Sequence, residues 1–275
     1  MAEIAEKLNL HNYNGCVKAF FTNCINSYIS ILIMPLTFND VHFFQISENA
    51  ISLEFDDHIN EETLSRISRL NECIKRNPFA GLLSTIPAYT TLTLYFNPVG
   101  LMNDPGLKGS TTVDKIARYI KSINVETKND QQTQNQIMQI PVCYDLTFGF
   151  DLQELSSFYQ LKKEEIIDMH SSAVYTVYMI GFVPGFPYLG GLSEKLTAPR
   201  KQNPRPVIPA GSVGIAGQQT GIYPLETPGG WQIIGRTPLK LFNVNRQQPS
   251  LLKAGDKLKF EPISLREFEQ IEGEQ

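Results

Sequence analysis

The chain has 275 residues, of which 42% are hydrophobic and 19% are charged, and its formal net charge is -4. This length suits one or two domains with a buried core, and an acidic balance without a basic patch argues against a nucleic-acid-binding protein. The 4 cysteines form no C-x-x-C pair and the 4 histidines are scattered. We therefore expect no metal site and no disulfide framework, and a reducing, cytoplasmic setting.

The first 40 residues fit no targeting or membrane segment. The apolar run 28–36 is shorter than the roughly 20 residues that a membrane span needs, and no cleavable signal pattern precedes it, so no membrane partner is expected. Regular strand patterning starts only near Val41. We therefore treat residues 1–40 as an N-terminal extension and hypothesise that native translation begins at Met34, which the mass of the native protein would test.

Residues 41–125 predict a small α+β domain. Alternating apolar residues indicate strands, and apolar residues three and four apart indicate helices. The predicted elements are a strand at 50–55, a helix that begins after Asn60 and stops at Asn77, strands at 82–86 and 91–96, and a helix capped by Ser110 or Thr111. This β-α-β-β-α order is typical of helices on one face of a sheet.

Residues 126–137 predict a linker, because the segment 128–136 offers no aliphatic or aromatic side chain to bury. Residues 138–270 predict a second, β-rich domain, since short apolar runs alternate with glycine and proline turns from Gly181 onward. Its predicted elements are strands at 139–144, 174–180, 239–244 and 257–260 and helices at 151–159 and 162–170.

The glycine-rich stretch 209–217 has two interpretations. Gly214 and Gly217 could let the backbone approach a phosphate or carboxylate, although the stretch matches neither a Walker A loop nor a dinucleotide-binding loop. The alternative is a tight corner of a β-barrel, where glycine is needed for backbone conformation. The spacing alone favours the corner.

Polar side chains within the proline-stiffened loops indicate a preorganised small-molecule site. The cations that could bind a carboxylate or phosphate are Arg200, Lys201, Arg205 and Arg236. Gln219, Tyr223 and Glu226 could orient substrate or water, with Glu226 a general base if it is partly buried. The alternative is that ion pairs brace the domain and that Trp231 is a core residue.

Three further features have structural rather than catalytic interpretations. His170 follows an apolar helix face, so we interpret it as a C-terminal histidine that the helix dipole stabilises. Cys143 has no base partner and is expected to be a buried thiol. The apolar segment 181–192 is too interrupted for a helix, and we interpret it as a surface that a partner covers.

Five motifs carry a resemblance to a known family. They are GFVPGFPYLGGL at 181–192, APRK at 198–201, PAGSVGIAG at 209–217, QTGIYPLETPGGW at 219–231 and IGRTP at 234–238. These motifs resemble the family of 5-oxoprolinase B subunits, also described as the sporulation kinase inhibitor family or allophanate hydrolase subunit 1. The resemblance is dense over 139–262, weaker over 41–125, and absent from 1–40.

This resemblance implies that a cyclophilin-like β-barrel follows the small α+β domain. It also implies that the chain works with a sister subunit of related barrel fold and a third 5-oxoprolinase subunit, and that it is inactive alone. The complex would use ATP, with magnesium, to open 5-oxo-L-proline to L-glutamate. Such a reaction needs cations for the phosphate and the substrate carboxylate, and the seven polar residues and two glycines named above are the candidates.

Two other functions stay open from the sequence. The first is a protein inhibitor that binds a sensor histidine kinase, which a kinase autophosphorylation assay would test. The second is a subunit of a urea carboxylase or allophanate hydrolase system. Fusion to a biotin-dependent domain would favour this second function, and the 275 residues contain none.

Overall fold

The computed structural model describes residues 36–38, 41–123 and 137–274. The predicted extension at 1–40, apart from 36–38, and the predicted linker at 126–137, apart from residue 137, lie outside the described residues. The chain divides into two compact units. The first contains the described parts of 1–57, 73–86 and 91–124, and the second contains those of 58–72, 87–90 and 125–275.

The first unit is built on a mainly antiparallel sheet. Its strands are β1 (Leu36–Phe38), β2 (Val41–Ser47), β3 (Ala50–Glu54), β4 (Leu82–Ala88) and β5 (Thr91–Phe96), and their order is β1-β2-β3-β5-β4. The helices are α1 (Glu61–Arg76), α2 (Pro98–Met102) and α3 (Thr112–Ser122). Helix α1 contributes only its end to this unit, and the last residues of β4 belong to the second unit.

Helix capping in this part of the chain follows the sequence. The Asn60 side chain accepts a hydrogen bond from the Thr63 amide at 2.7 Å, and the Thr111 hydroxyl accepts one from the Asp114 amide at 3.1 Å. Each bond satisfies an amide that has no partner within its helix. The predicted helix starts are therefore confirmed, and the structure selects Thr111 over Ser110.

The second unit contains the remaining strands. They are β6 (Met138–Val142), β7 (Tyr175–Ile180), β8 (Pro187–Gly190), β9 (Arg205–Ile208), β10 (Ser212–Ala216), β11 (Gln219–Ile222), β12 (Thr227–Gly229), β13 (Gln232–Arg236) and β14 (Lys257–Pro262). Its further helices are α4 (Leu152–Tyr159), α5 (Lys163–Ser172) and α6 (Leu265–Gly273). The two helices predicted before β7 are confirmed.

Antiparallel pairing dominates this unit, and the fold is mixed α/β. Its main path runs β7-β8-β11-β10-β13, while β14 pairs with β7 antiparallel and with β6 parallel. Strands β9 and β12 form a separate antiparallel pair. The named pairings leave the path open at β13. Beyond it lies an isolated bridge, in which the amides of Cys143 and Arg236 donate to each other's carbonyls at 2.8 and 3.0 Å.

The aliphatic core of the second unit encloses a polar cluster around His170. The imidazole is fully buried, stacks on Phe260, and contacts the Tyr144 hydroxyl at 2.8 Å and the Thr220 hydroxyl at 2.9 Å. Burial lowers the pKa of His170 to about 3. His170 lies in the last turn of α5 as expected, but the expected stabilisation by the helix dipole is wrong, because burial away from water disfavours the imidazolium.

Two other predictions for this unit are corrected. Residues 239–244 form no strand: Leu241 is buried and accepts a hydrogen bond from the Leu251 amide, so its apolar pattern anchors a closed loop. The segment 181–192 is largely interior rather than a surface patch, since Phe186 and Leu189 are fully buried and Phe182 is the exposed aromatic residue.

The thiol of Cys143 is buried as expected, and burial raises its pKa. Within the described residues, no helix is both long and apolar enough to cross a bilayer.

Candidate functional site

The second unit contains a cavity of about 240 Å³ with five aromatic side chains in its walls. Its lining residues are Phe182, Phe186, Tyr188, Arg200, Lys201, Pro204, Tyr223, Pro228, Gly229, Gly230 and Trp231. We call this the aromatic cavity. Pockets with apolar walls and a few polar groups are typical of small-molecule sites.

Edge-to-face ring contacts hold the walls in place. Phe186 packs against Tyr223 and Trp231 with ring centroids 5.1 and 5.4 Å apart and ring planes nearly perpendicular. Tyr188 packs against Trp231 at 5.8 Å. Such pairs add attraction beyond the burial of their surface, so the cavity has a rigid floor.

Phe182 lies at the rim of the aromatic cavity in an unusual backbone conformation. Its side chain is 60% exposed and its φ is +67°, in the left-handed region that few non-glycine residues adopt. The ring contacts Phe186 edge-to-face at 5.7 Å. The turn at 181–186 therefore presents an aromatic ring beside the opening.

Hydrogen bonds to its backbone atoms position the loop that carries Arg200 and Lys201. The Gln232 side-chain amide donates to the Pro199 carbonyl at 3.0 Å, and the Lys201 amide donates to the Gly230 carbonyl at 2.7 Å. Because both partners flank Trp231, the loop is tied to the aromatic wall on each side of Arg200.

A buried carboxylate, Asp151, holds two of the predicted cations. Its oxygens accept hydrogen bonds from both terminal nitrogens of Arg205, at 2.6 and 2.8 Å. Lys201 Nζ lies 2.8 Å from Asp151 Oδ1 and 3.1 Å from Glu154 Oε2. The Ile233 amide also donates to Asp151, at 2.7 Å. Asp151 is 1% exposed, so its charge is compensated by neighbours rather than by water.

The pKa shifts agree with this pairing. Burial acts to raise the pKa of Asp151, but the hydrogen bonds from Arg205, Lys201 and the Ile233 amide outweigh it and leave the pKa below its ordinary value. Burial acts to lower the pKa of Lys201, but its bonds to Asp151 and Glu154 raise it overall. The Asp151 carboxylate and the Lys201 ammonium are therefore both charged at neutral pH.

Arg200 differs from the other predicted cations. It is exposed at the cavity, and its guanidinium has no hydrogen bond or ion pair to any residue that the structure describes. Its charge nevertheless acts to lower the pKa values of Tyr188 and Tyr223. Arg200 is therefore the cation of this site that is open to an anion, and a guanidinium can bind a carboxylate with two hydrogen bonds.

Tyr223 lies in the wall of the cavity and is 1% exposed. Burial raises its pKa to about 12, so the phenol stays protonated at neutral pH and can donate a hydrogen bond. The structure thus brings together Arg200, Lys201 and Tyr223, with Arg205 joined to them through Asp151.

The other predicted site residues do not line this cavity. Arg236 donates to the Ala210 carbonyl at 2.8 Å and lies 5.5 Å from each of the Phe148 and Phe268 rings. It also contacts Glu272 at 3.5 Å. Arg236 therefore braces helix α6. Glu226 is exposed, so the partial burial that a general base would need is missing.

Close packing and a tight turn explain the two glycines that were predicted to approach a phosphate. Gly214 lies within β10, where an added Cβ would come 3.1 Å from both Trp231 and Ile233. Gly217 has a φ of +57° in the turn between β10 and β11, and its amide donates to the Ala198 carbonyl. The barrel-corner alternative describes Gly217 better than the phosphate-binding one.

Gln219 lines a second cavity of about 420 Å³ together with Tyr89 and Tyr178. The Gln219 amide and the Tyr89 hydroxyl bond to each other, with nitrogen to hydroxyl at 3.1 Å and hydroxyl to oxygen at 3.4 Å. This bond fixes the amide inside the second cavity, so Gln219 is separate from the aromatic cavity.

Sequence reasoning missed Asp151 and the aromatic wall residues. Asp151 precedes helix α4 and lies far along the chain from Arg205, so no local pattern links them. The wall residues Phe182, Phe186 and Tyr188 stood in a motif that was assigned to a partner surface. Trp231, a core residue in one of the two interpretations, is both buried and part of the cavity wall.

Comparisons with known proteins agree on one family. The model of the carboxyltransferase domain, subdomain C and D, matches residues 41–252. A protein named as the B subunit of 5-oxoprolinase from Bacillus subtilis (strain 168) is 43% identical over 224 residues, which cover 82% of this chain and 93% of that protein. The protein of the same name from Escherichia coli O157:H7 is 37% identical over 220 residues, covering 80% and 94%.

A solved structure supports the fold. The crystal structure of TTHA0988 aligns with a TM-score of 0.68 at 35% identity, over 78% of this chain and 40% of that chain. The matched family region contains every motif from 181 to 238 that carried the resemblance. The chain therefore belongs to the carboxyltransferase domain family of subdomains C and D, and within it to the proteins named as B subunits of 5-oxoprolinase.

Proposed function

We propose that this chain is a subunit of an ATP-dependent 5-oxoprolinase that opens 5-oxo-L-proline to L-glutamate. The supporting comparison is the two relatives named as 5-oxoprolinase B subunits, of which this chain covers 93% and 94%. Their name describes one subunit of an enzyme, which implies partner chains. We propose that these are a sister subunit of related fold and a third subunit, and that this chain is inactive alone.

The aromatic cavity suits the proposed substrate. 5-Oxoproline is a small five-membered lactam with one carboxylate, so it needs apolar walls for its ring and one cation for its charge. Phe186, Tyr188 and Trp231 supply the walls, and Arg200 supplies an uncompensated guanidinium. The single observation that carries this proposal is Arg200 beside these rings, without a partner among the described residues.

Within the proposed reaction, this chain's residues bind and orient the lactam. Arg200 holds the carboxylate, which places the ring against Trp231, and the rings exclude water from the lactam face. The Tyr223 phenol, whose pKa is raised to about 12, can donate to a lactam oxygen without itself losing its proton. These roles position the substrate for chemistry that the complex completes.

ATP would supply the phosphoryl group that activates the lactam oxygen. The glycines predicted to cradle a phosphate do not fit that role, because Gly214 is packed within β10 and Gly217 forms a turn. We therefore derive no step through the nucleotide from this chain. We propose that the assembled complex binds ATP and magnesium.

We also propose that the second unit forms a cyclophilin-like barrel. The supporting observation is the bridge between Cys143, which follows β6, and Arg236 at the end of β13. Since β6 pairs with β14 and β14 pairs with β7, this bridge would complete a ring of strands. Slow hydrogen exchange of the Cys143 and Arg236 amides is expected, and rapid exchange of both would contradict closure.

The test of the substrate site is Arg200→Met in the complex co-purified with the tagged chain. Loss of the guanidinium should reduce ATP-dependent glutamate formation at low substrate about 10- to 100-fold, mainly through KM, because the carboxylate loses its partner. Arg246→Met, an exposed arginine outside the cavity, is the matched control. Unchanged KM in Arg200→Met would refute this site, whereas a wild-type complex that forms no glutamate would refute the function.

A further inference from the structure

The charge around the aromatic cavity is distributed unevenly. Three cations lie in or beside it, and two carboxylates, Asp151 and Glu154, contact two of those cations. Lys201 bonds to both carboxylates, while Arg205 uses both terminal nitrogens on Asp151. The three cations and two carboxylates leave one positive charge uncompensated, and it belongs to Arg200.

The buried position of Asp151 strengthens its electrostatic effect on the aromatic cavity. The side chain is 1% exposed, and its contacts are the two terminal nitrogens of Arg205, Lys201 Nζ and the Ile233 amide. Water screens a buried charge far less than an exposed one. Glu154 is 71% exposed, so its effect on the cavity is weaker.

We infer that Asp151 is a specificity-determining residue: by compensating Lys201 and Arg205, it leaves the aromatic cavity one effective cation and makes it select monoanionic acids over dianionic ones. A monoanion pairs with Arg200 and fits its ring against the wall. The second charge of a dianion would enter a region where each remaining cation already has a carboxylate partner, and it would be repelled by Asp151. This inference rests on the proposed substrate site, in which Arg200 binds the acid, and on the proposed function for its choice of probe.

The experiment measures binding by calorimetry to the full-length chain, without partners. The probes are 5-oxoproline, a monoanion at neutral pH, and glutarate, a five-carbon dianion. The wild-type chain should bind 5-oxoproline at least about 10-fold more tightly than glutarate. In Asp151→Asn this affinity ratio should fall by about 10-fold, because Arg205 loses its carboxylate partner and becomes available for the second carboxylate, while Lys201 keeps only the exposed Glu154.

Two variants guard against loss of folding in Asp151→Asn. Glu154→Gln changes an exposed carboxylate and should shrink the ratio by a smaller factor, about 2- to 3-fold. Lys201→Met keeps the ion pair between Asp151 and Arg205 but removes one cation, so it should increase the ratio of 5-oxoproline affinity to glutarate affinity. Glu164→Gln, an exposed carboxylate on α5 outside the cavity lining, is the control and should leave the ratio unchanged.

The possible results separate two failures. The inference about Asp151 would be overturned if the wild-type chain binds 5-oxoproline and folded Asp151→Asn has the same affinity ratio for the two acids. If Asp151→Asn does not fold, an unchanged affinity ratio in Glu154→Gln and Lys201→Met would overturn it. A wild-type chain that binds glutarate as tightly as 5-oxoproline would overturn it as well. Binding of neither acid would refute the proposed substrate site itself, independently of whether the complex forms glutamate.

Discussion

Burial decides the protonation state of two enclosed ring side chains, His170 in the core and Tyr223 in the wall of the aromatic cavity. His170 is held neutral, since burial lowers its pKa to about 3, and Tyr223 is held protonated, since burial raises its pKa to about 12. Both shifts have the same physical cause, because burial away from water disfavours the charged form. The position of His170 at a helix end had suggested a cation instead.

His170 should make folding sensitive to mild acid. Its pKa is 6.5 when unfolded and about 3 when folded, so its contribution is complete above pH 6.5 and is lost progressively as the pH falls toward 3. The free energy of unfolding should drop by about 2 kcal/mol from this residue between pH 7 and pH 5. Urea titrations at both pH values would measure the drop.

The comparison for this prediction is His170→Gln, which keeps polar contacts to Tyr144 and Thr220 within reach but cannot titrate. This variant should have a smaller pH dependence of the free energy of unfolding. Direct observation of the His170 ring by NMR keeps the prediction testable if that variant does not fold. A ring that titrates near pH 6.5 in the folded protein would contradict the burial argument.

At the scale of elements, strand β11 shows why glycine recurs around the aromatic cavity. Gly221 pairs with Tyr188 of β8. A Cβ at Gly221 would lie 2.8 Å from the Pro187 carbonyl oxygen and 3.0 Å from both the Phe186 and Trp231 rings. The glycine therefore lets the two rings close over the strand, so the cavity wall depends on a position with no side chain.

Gly221→Ala should consequently destabilise the protein by about 1–3 kcal/mol, the usual cost of overpacking a core. It should also weaken 5-oxoproline binding, because the rings of the wall must move. Gly273→Ala, at the end of α6 where an added Cβ meets nothing within 4 Å, serves as the comparison in thermal unfolding and calorimetry. Equal melting temperatures for the two variants would show that the wall tolerates the extra carbon.

Local pattern predicted four of the six α-helices and six of the fourteen strands that the structure describes, and its one wrong strand has a physical explanation. The helices at 152–159 and 163–172 and the strand at 175–180 were predicted within about two residues. The strand predicted at 239–244 was wrong because alternating apolar residues are also compatible with a loop that buries one of them, here Leu241. Alternation reports burial, and burial does not require a strand.

At the scale of the whole molecule, the proposal requires partner chains. The proposed site binds and orients an acid. Tyr223 stays protonated there, and Glu226 is exposed and does not line the aromatic cavity. A positioning site of this kind needs a base and a nucleotide from elsewhere.

The isolated chain, given 5-oxoproline and ATP, should therefore form no glutamate above the rate without protein. The complex co-purified from native cells with a tagged chain should form it only when ATP is present. Mass spectrometry of the complex would count its subunits. Glutamate formation by the isolated, homogeneous chain would contradict the dependence on partners.

The sequence by itself determined the family, the longer helices and several strands, and the cations of the loops at 200–205. Consecutive motifs preserve residue identities, and periodicity reports which faces are buried. Only the tertiary structure decided which cation is available to a ligand. Asp151 meets Lys201 and Arg205, which lie 50 and 54 positions later in the chain, and such pairing depends on how α4 packs near β13. The same packing leaves Arg200 without an ion pair to any carboxylate that the structure describes.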